Sequence, residues 1–199
     1  MAKNNIIIFG DYTCPYCYIG QKTIEELQKY YDIELTHIPI QSDKDMPEFR
    51  ISLQRYYKKK GIDVDLLYDD IEEKASRLNI IVNRPTYKYN TNLTILLGEF
   101  ARDNDLEYIY SSIIYNKYFE ENENISSEEV LNDVFEQIEL DYEEGFLRAY
   151  DGAYKARIKE YESLFDSYNL DSVPSFVINE EIVIPGLPKI ESIEKHLYL

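Results

Sequence analysis

"DYTCPYCYIG", residues 11–20, carries both cysteines of the chain, Cys14 and Cys17, with only Pro15 and Tyr16 between them. Before it lies "NIIIFG" at 5–10, a short apolar run stopped by the Gly10-Asp11 turn signal, which suits a strand buried on both faces. After it, Cys17, Gly20, Ile24, Leu27 and Tyr31 recur at three-and-four spacing. Gln21, Lys22, Glu25, Glu26 and Lys29 mostly face elsewhere. That pattern predicts an amphipathic helix beginning at the cysteines. "IELTHIPI" at 33–40 reads as a second strand by its β-branched and apolar content.

Farther out the character changes. Over 45–150 helical patterns dominate, with helices expected near 47–59, 64–78, 91–103, 106–122 and 127–138, the last opened by a capping box of Ser126 and Glu129. No repeat, low-complexity segment or flexible linker interrupts this block. A helix near 152–168 follows, and then "SVPSFVIN" and "EIVIPG" read as a hairpin about Asn179. A closing helix starts near Pro188 and carries Ile190, Ile193 and Leu197. The order is strand, helix, strand, helical block, helix, strand, strand, helix. Periodicity alone supports a mixed α/β class.

Bulk properties narrow the function. At 199 residues, with 44% hydrophobic and 30% charged, the chain suits one globular domain with an insertion, and it needs no disulfide staple. Acidic residues number 38 against 21 basic, a formal charge of -17. Nucleic acid, whose phosphates require clustered cations, is excluded as a partner, and Lys58-Lys59-Lys60 reads as a solvated helix end. No apolar run approaches the roughly 18 residues of a membrane span, and no export signal is visible near Met1. The expectation is a cytoplasmic protein with no membrane partner. In that compartment a close cysteine pair is catalytic or metal-binding more often than structural.

The pair itself has a physical logic. At a helix start Cys14 sits beside unpaired N–H groups and the positive end of the helix dipole, which favour thiolate over thiol and make it the nucleophile. Cys17, one turn in on the apolar stripe, is sheltered and placed to displace whatever attaches to Cys14. Pro15 in the first turn costs no hydrogen bond and pre-sets φ. A bridge closing so short a loop would add little stability. A zinc site needs four ligands, and only His37 and His196 could join the sulfurs, neither with a partner histidine at ligand spacing. No metal and no organic cofactor are expected, although a metal shared between two subunits stands as an alternative. His37 reads as a strand residue satisfied locally, and His196 as a last-turn residue answering the helix dipole.

With these residues in view, "DYTCPYCYIG" resembles the active-site segment of the DsbA family, and most closely its FrnE-like branch. The likeness continues in "YNTNLTILLGEFARD" (89–103), "YFEENENISSEEVL" (118–131) and "DSVPSFVIN" (171–179), so it covers nearly the whole chain in order. It implies a thioredoxin-like fold with a large all-α insertion: a core at 1–44 and 151–199, and the insertion at 45–150. It further implies thiol-disulfide exchange through a redox-active Cys14–Cys17 pair. Pro174 would be cis and face that pair, and the Val173 backbone would bind an extended substrate segment.

Tyr16 stands where relatives carry Trp, and with Tyr18 it offers an apolar rim for a partner. Ile184-Pro185-Gly186 replaces a Gly-Ala-Gln common in relatives, and the second cysteine pair of some FrnE-like proteins is absent. Asp11, three residues before Cys14, supports the motif by capping, by turn formation or by tuning the thiol; capping or turn duty is favoured.

The implied function is a thiol-disulfide oxidoreductase acting on thiol- or disulfide-containing proteins, peptides or glutathione, as a monomer or homodimer. Two alternatives stay open. One is a glutathione-dependent isomerase or transferase of the kappa-class type, which usually lacks the first cysteine. The other is a non-catalytic, redox-sensing binding module.

Overall fold

A computed structural model describes residues 3–198. The elements run β1 (Asn4–Gly10), α1 (Pro15–Leu27), β2 (Ile33–Pro39), β3 (Arg50–Ser52), α2 (Leu53–Lys59), α3 (Val64–Ser76), β4 (Tyr87–Tyr89), α4 (Asn92–Asp103) and α5 (Glu107–Phe119). They continue with α6 (Glu128–Gln137), α7 (Tyr142–Ala149), α8 (Ala153–Ser167), β5 (Ser175–Ile178), β6 (Ile182–Pro185) and α9 (Ile190–Glu194). The chain divides into two compact units, one up to Ser42 and again from Ile158 onward, the other Asp43–Arg157, so the boundary falls inside α8.

The first unit is built on a four-stranded mixed sheet in the order β2-β1-β5-β6. β1 pairs parallel with β2 and antiparallel with β5, and β5 pairs antiparallel with β6. β1 is central and apolar because both of its faces are covered. On one face Ile6 and Ile8 pack with Ile24, Leu27, Phe176 and Ile193. On the other, Phe9 packs with Ile38, Leu170 and Val177, and meets Phe165 edge-on at 5.4 Å. Gly20 lets α1 approach β5 closely: a Cβ there would lie 2.8 Å from Phe176 Cζ. The β5–β6 hairpin turns through Asn179 and Glu180, both at positive φ, the mirror-image turn that matches strand twist. The C-terminal segment is stitched back by Asn4, whose Nδ2 donates to the Tyr198 carbonyl and whose Oδ1 accepts from its N–H.

This is an α/β fold, a mixed four-stranded sheet flanked by helices, with a helical insertion between β2 and α8. The insertion departs from all-α in one place: β3 and β4 form a two-stranded antiparallel sheet. Three-residue strands are too short to show alternation, and their pairing is supported by a diagonal contact, the Arg50 guanidinium 4.1 Å over the Tyr87 ring. The helix expected over 47–59 is therefore shorter, starting at Leu53 with the Ser52 hydroxyl accepting from Arg55 N–H.

Helix α7 adds to the helices the sequence pattern predicts, because Gly145 breaks an already brief stripe; Asp141 caps it by accepting from Glu144 N–H. The capping box of Ser126 and Glu129 does not form. Ser127 is the N-cap residue, and the Ser126 hydroxyl turns back to donate to Asn124 Oδ1. The closing helix starts at Ile190, two residues beyond Pro188, and ends at Glu194. His196 lies past it, so no last-turn dipole explains that residue; its carbonyl accepts from Asn179 Nδ2.

Candidate active site

The loop between β1 and α1 sets the two sulfurs at different depths. Cys14 is the N-cap residue of α1 in an extended conformation, with Pro15 following in the first turn. The Cys14 carbonyl accepts from the N–H groups of Cys17 and Tyr18, closing that turn. Helical rotation then carries Cys17 onto the core-facing stripe, where it is wholly buried, while Cys14 stays half-exposed. Burial pushes the Cys17 thiol well up, the Cys14 contact adds to this, and the hydrogen bond from Asp11 N–H opposes it.

Asp11 is not the cap of α1. Its main chain touches both cysteines: the carbonyl accepts from Cys14 N–H at 2.9 Å, and the N–H points to Cys17 Sγ at 3.4 Å. Its side chain is 3% exposed. Oδ1 accepts from the N–H and hydroxyl of Thr13 at 2.7 and 2.6 Å, an Asx-type turn. Oδ2 accepts from the N–H and hydroxyl of Ser42 at 3.0 and 2.5 Å. Beside this loop the buried Tyr12 ring lies 5.1 Å from that of His37.

The loop before β5 comes to the same place from the far end of the sequence. Val173–Pro174 is a cis peptide, as the resemblance implied. The Val173 carbonyl lies 3.9 Å from Cys14 Sγ, within range of a weak S–H···O contact. The Pro174 carbonyl accepts from Gly186 N–H at 2.8 Å, and Gly186 makes that bond at φ +74, a conformation suited to glycine. The Ile184-Pro185-Gly186 departure thus supports the loop that faces the cysteines.

Of the residues singled out from sequence, Asp11, Cys14, Pro15, Cys17, Val173 and Pro174 come together here. Tyr16 lies between the sulfurs on the first turn, half-buried. Thr13, Ser42 and Gly186 were not singled out. Thr13 was within reach as the second residue after an Asp, a local turn pattern, whereas Ser42 has no local signal. Among the described residues no group of three or more His, Cys, Asp or Glu side chains could hold a metal ion. No helix among them is long and apolar enough to cross a membrane.

A family model described as the DSBA-like thioredoxin domain matches residues 5–198. YwbO of Bacillus subtilis (strain 168), described as uncharacterized, is 23% identical over 197 residues, covering 96% of this chain and 94% of its own. The crystal structure of a probable DsbA oxidoreductase, SCO1869 of Streptomyces coelicolor, superimposes with a TM-score of 0.86 at 18% identity, covering 96% of this chain and 87% of that one. A 2-hydroxychromene-2-carboxylate isomerase superimposes at 0.80 and 17% identity, covering 96% and 93%. At such identities the structural likeness is one of fold.

Proposed function

The chain belongs to the DSBA-like thioredoxin domain family, and from that premise we propose that it is a thiol-disulfide oxidoreductase working through the Cys-Pro-Tyr-Cys motif. The observation that carries this reading is the unequal depth of the two sulfurs, half-exposed Cys14 against wholly buried Cys17, on one turn of α1.

In the reducing direction, the Cys14 thiolate attacks one sulfur of a substrate disulfide and a mixed disulfide forms as the substrate's other sulfur leaves as thiolate. Cys17 then gives up its proton and attacks Cys14 Sγ. The second substrate thiolate departs, leaving the Cys14–Cys17 disulfide and a substrate reduced by two electrons. The oxidising direction is the same sequence reversed, begun by a substrate thiolate on Cys14.

Cys17 cannot reach an outside partner from its depth, so it serves as the resolving thiol. The half-exposed Tyr16 ring and the Val173 backbone form the surface on which a peptide or small thiol such as glutathione rests, with Pro174 shaping its edge. Pro15 and Asp11 hold the turn. The sulfurs carry the electrons in this scheme, and a reducing compartment such as the cytoplasm would return the pair to the dithiol.

A second reading has one observation in its favour, the fold shared with the isomerase. Retention of both cysteines favours redox chemistry over it. Insulin reduction and refolding of a scrambled disulfide protein are measured for wild type, Cys14→Ser and Cys17→Ser. Wild type is expected to do at least one, both variants to lose turnover, and Cys17→Ser to accumulate mixed disulfide. A wild type with neither activity and no exchangeable disulfide overturns the proposal; isomerase activity indifferent to both substitutions supports the second reading.

A further inference from the structure

We infer that Asp11 is a positioning residue for the resolving step: its buried carboxylate, tethered to Thr13 and Ser42, aims its own N–H at Cys17 Sγ and its own carbonyl at Cys14 N–H. The inference rests on the proposed two-step exchange and adds to it the residue that governs the second step.

The geometry begins with the main chain. One residue supplies a donor to the inner sulfur at 3.4 Å and an acceptor to the N–H of the outer cysteine at 2.9 Å. Both groups belong to peptide planes flanking the same Cα, so a rotation at Asp11 disturbs both contacts together. Two tethers restrain that rotation. Thr13, two residues on, holds Oδ1 and shapes the local turn. Ser42 holds Oδ2 from across 31 residues of sequence. It is the last residue of the sheet unit before the chain passes into the helical one. A carboxylate with only 3% of its surface open to water costs free energy to bury unless its oxygens are hydrogen-bonded, and here both are.

Chemistry supplies the need for such a device. Once Cys14 carries a substrate, its own thiol is consumed and can no longer assist its neighbour. The inner sulfur must become an anion in a site with no solvent exposure. A backbone N–H pointed at it is a donor that survives the first step and strengthens as the charge develops, in the manner of an oxyanion hole.

Two roles for Asp11 predict opposite signs. A nearby carboxylate acting only through its charge opposes a Cys17 thiolate. Removing it would then quicken resolution. A carboxylate that aims the N–H makes resolution slower when removed, and so does loss of a tether that leaves the charge in place.

The test uses the full chain, reduced, with dithiodipyridine in stopped flow. Cys14 attack releases one thiopyridone and leaves a mixed disulfide; Cys17 attack releases the second and closes the internal disulfide. The two thiol protons end on the two released thiopyridones, and two electrons pass from protein to reagent. Wild type gives two thiopyridones and Cys17→Ser one. A wild type giving one would remove the underlying reading rather than this inference.

At constant pH the ratio of second-step to first-step rate is expected to fall about tenfold in Asp11→Ala and about threefold in Ser42→Ala. The latter change is at an exposed residue and keeps the charge. Asp11→Asn, which preserves the acceptor toward Thr13, should recover part of the Asp11→Ala loss. A ratio that is unchanged or increased in Ser42→Ala overturns the inference, as does an increase in Asp11→Ala. A merely structural role would lower melting temperature and leave the ratio alone. If Asp11→Ala fails to fold, Ser42→Ala decides.

Discussion

The two units of this chain hold themselves together by different means. The sheet unit satisfies its backbone through strand ladders and fills its two faces with isoleucine, leucine and phenylalanine. Its buried carboxylate, Asp11, is held by neutral donors. The helical unit buries charge against charge: Glu99, with no exposure, meets Arg102 and Arg157, and Lys117 meets Glu123 and Asp133. Its apolar interior is aromatic, with Phe100 stacked on Phe135 and Tyr110 edge-on to it. Both cysteines lie in the sheet unit. The lesson is that the cysteine pair lies where a buried carboxylate is met by neutral donors, while the buried Glu99 and Lys117 of the other unit are met by opposite charge. The proposed redox site and the stability of the helical unit should therefore be separable by mutation.

That separation can be broken or sharpened in order of expected effect. The largest is Cys14→Ser, which should reduce disulfide exchange by about a thousandfold or more, since the hydroxyl cannot act as the sulfur nucleophile near neutral pH. Insulin reduction reads it, and the melting temperature should hardly change because Cys14 is half-exposed.

Next comes Gly145→Ala on α7. The new Cβ would lie 2.6 Å from Phe135 Cε1 and 3.1 Å from Phe100 Cδ1. Overpacking of this kind costs about 1–3 kcal/mol. Denaturant unfolding should show that loss while the reduction potential of the cysteine pair stays put; a shifted potential would show that the two regions are not separable.

Smaller again is Lys117→Met, worth about 1 kcal/mol because the carboxylates it meets are open to water. Its pH dependence has a definite sign. Burial pulls the Lys117 amine down, but the Asp133 and Glu123 carboxylates outweigh this and hold it above its ordinary 10.5. The same pair holds Asp133 below its ordinary 3.8. The stabilisation is full between those ordinary values. It fades as pH falls below the lower one, through the depressed Asp133 value, and as pH rises above the upper one, through the elevated Lys117 value. Wild type and Lys117→Met stability curves should converge at both extremes. The smallest effect is Asp63→Ala, which removes the cap accepting from Asp65 and Leu66 N–H at the start of α3, at about 0.5–1 kcal/mol. Thermal unfolding of the helical unit reads it.

Much of this was legible in the residues. The run Ile6–Phe9, the stripe Cys17-Gly20-Ile24-Leu27 and the Asn179 turn each declare their element through a period or a turn chemistry confined to a few positions. The sheet of β3 and β4 escaped because each strand has three residues, and α7 because Gly145 is itself a concession to Phe135, a neighbour ten residues away. At the candidate site, the placing of Cys14, Pro15 and Cys17 on one helix start was readable from spacing alone, whereas the partners of Asp11 were not.

Local order alone assigned unequal fates to the two sulfurs: four consecutive residues at a helix start put one at the mouth and turn the other inward, whatever surrounds them. Folding settled the rest. It brought Val173 to Cys14 across 159 positions and Ser42 to Asp11 across 31, and it turned an acidic side chain from a plausible cap into a brace. Those pairings depend on how β1, β2 and β5 stack and register, a sum over many weak apolar contacts that leaves no periodic mark on the partners themselves.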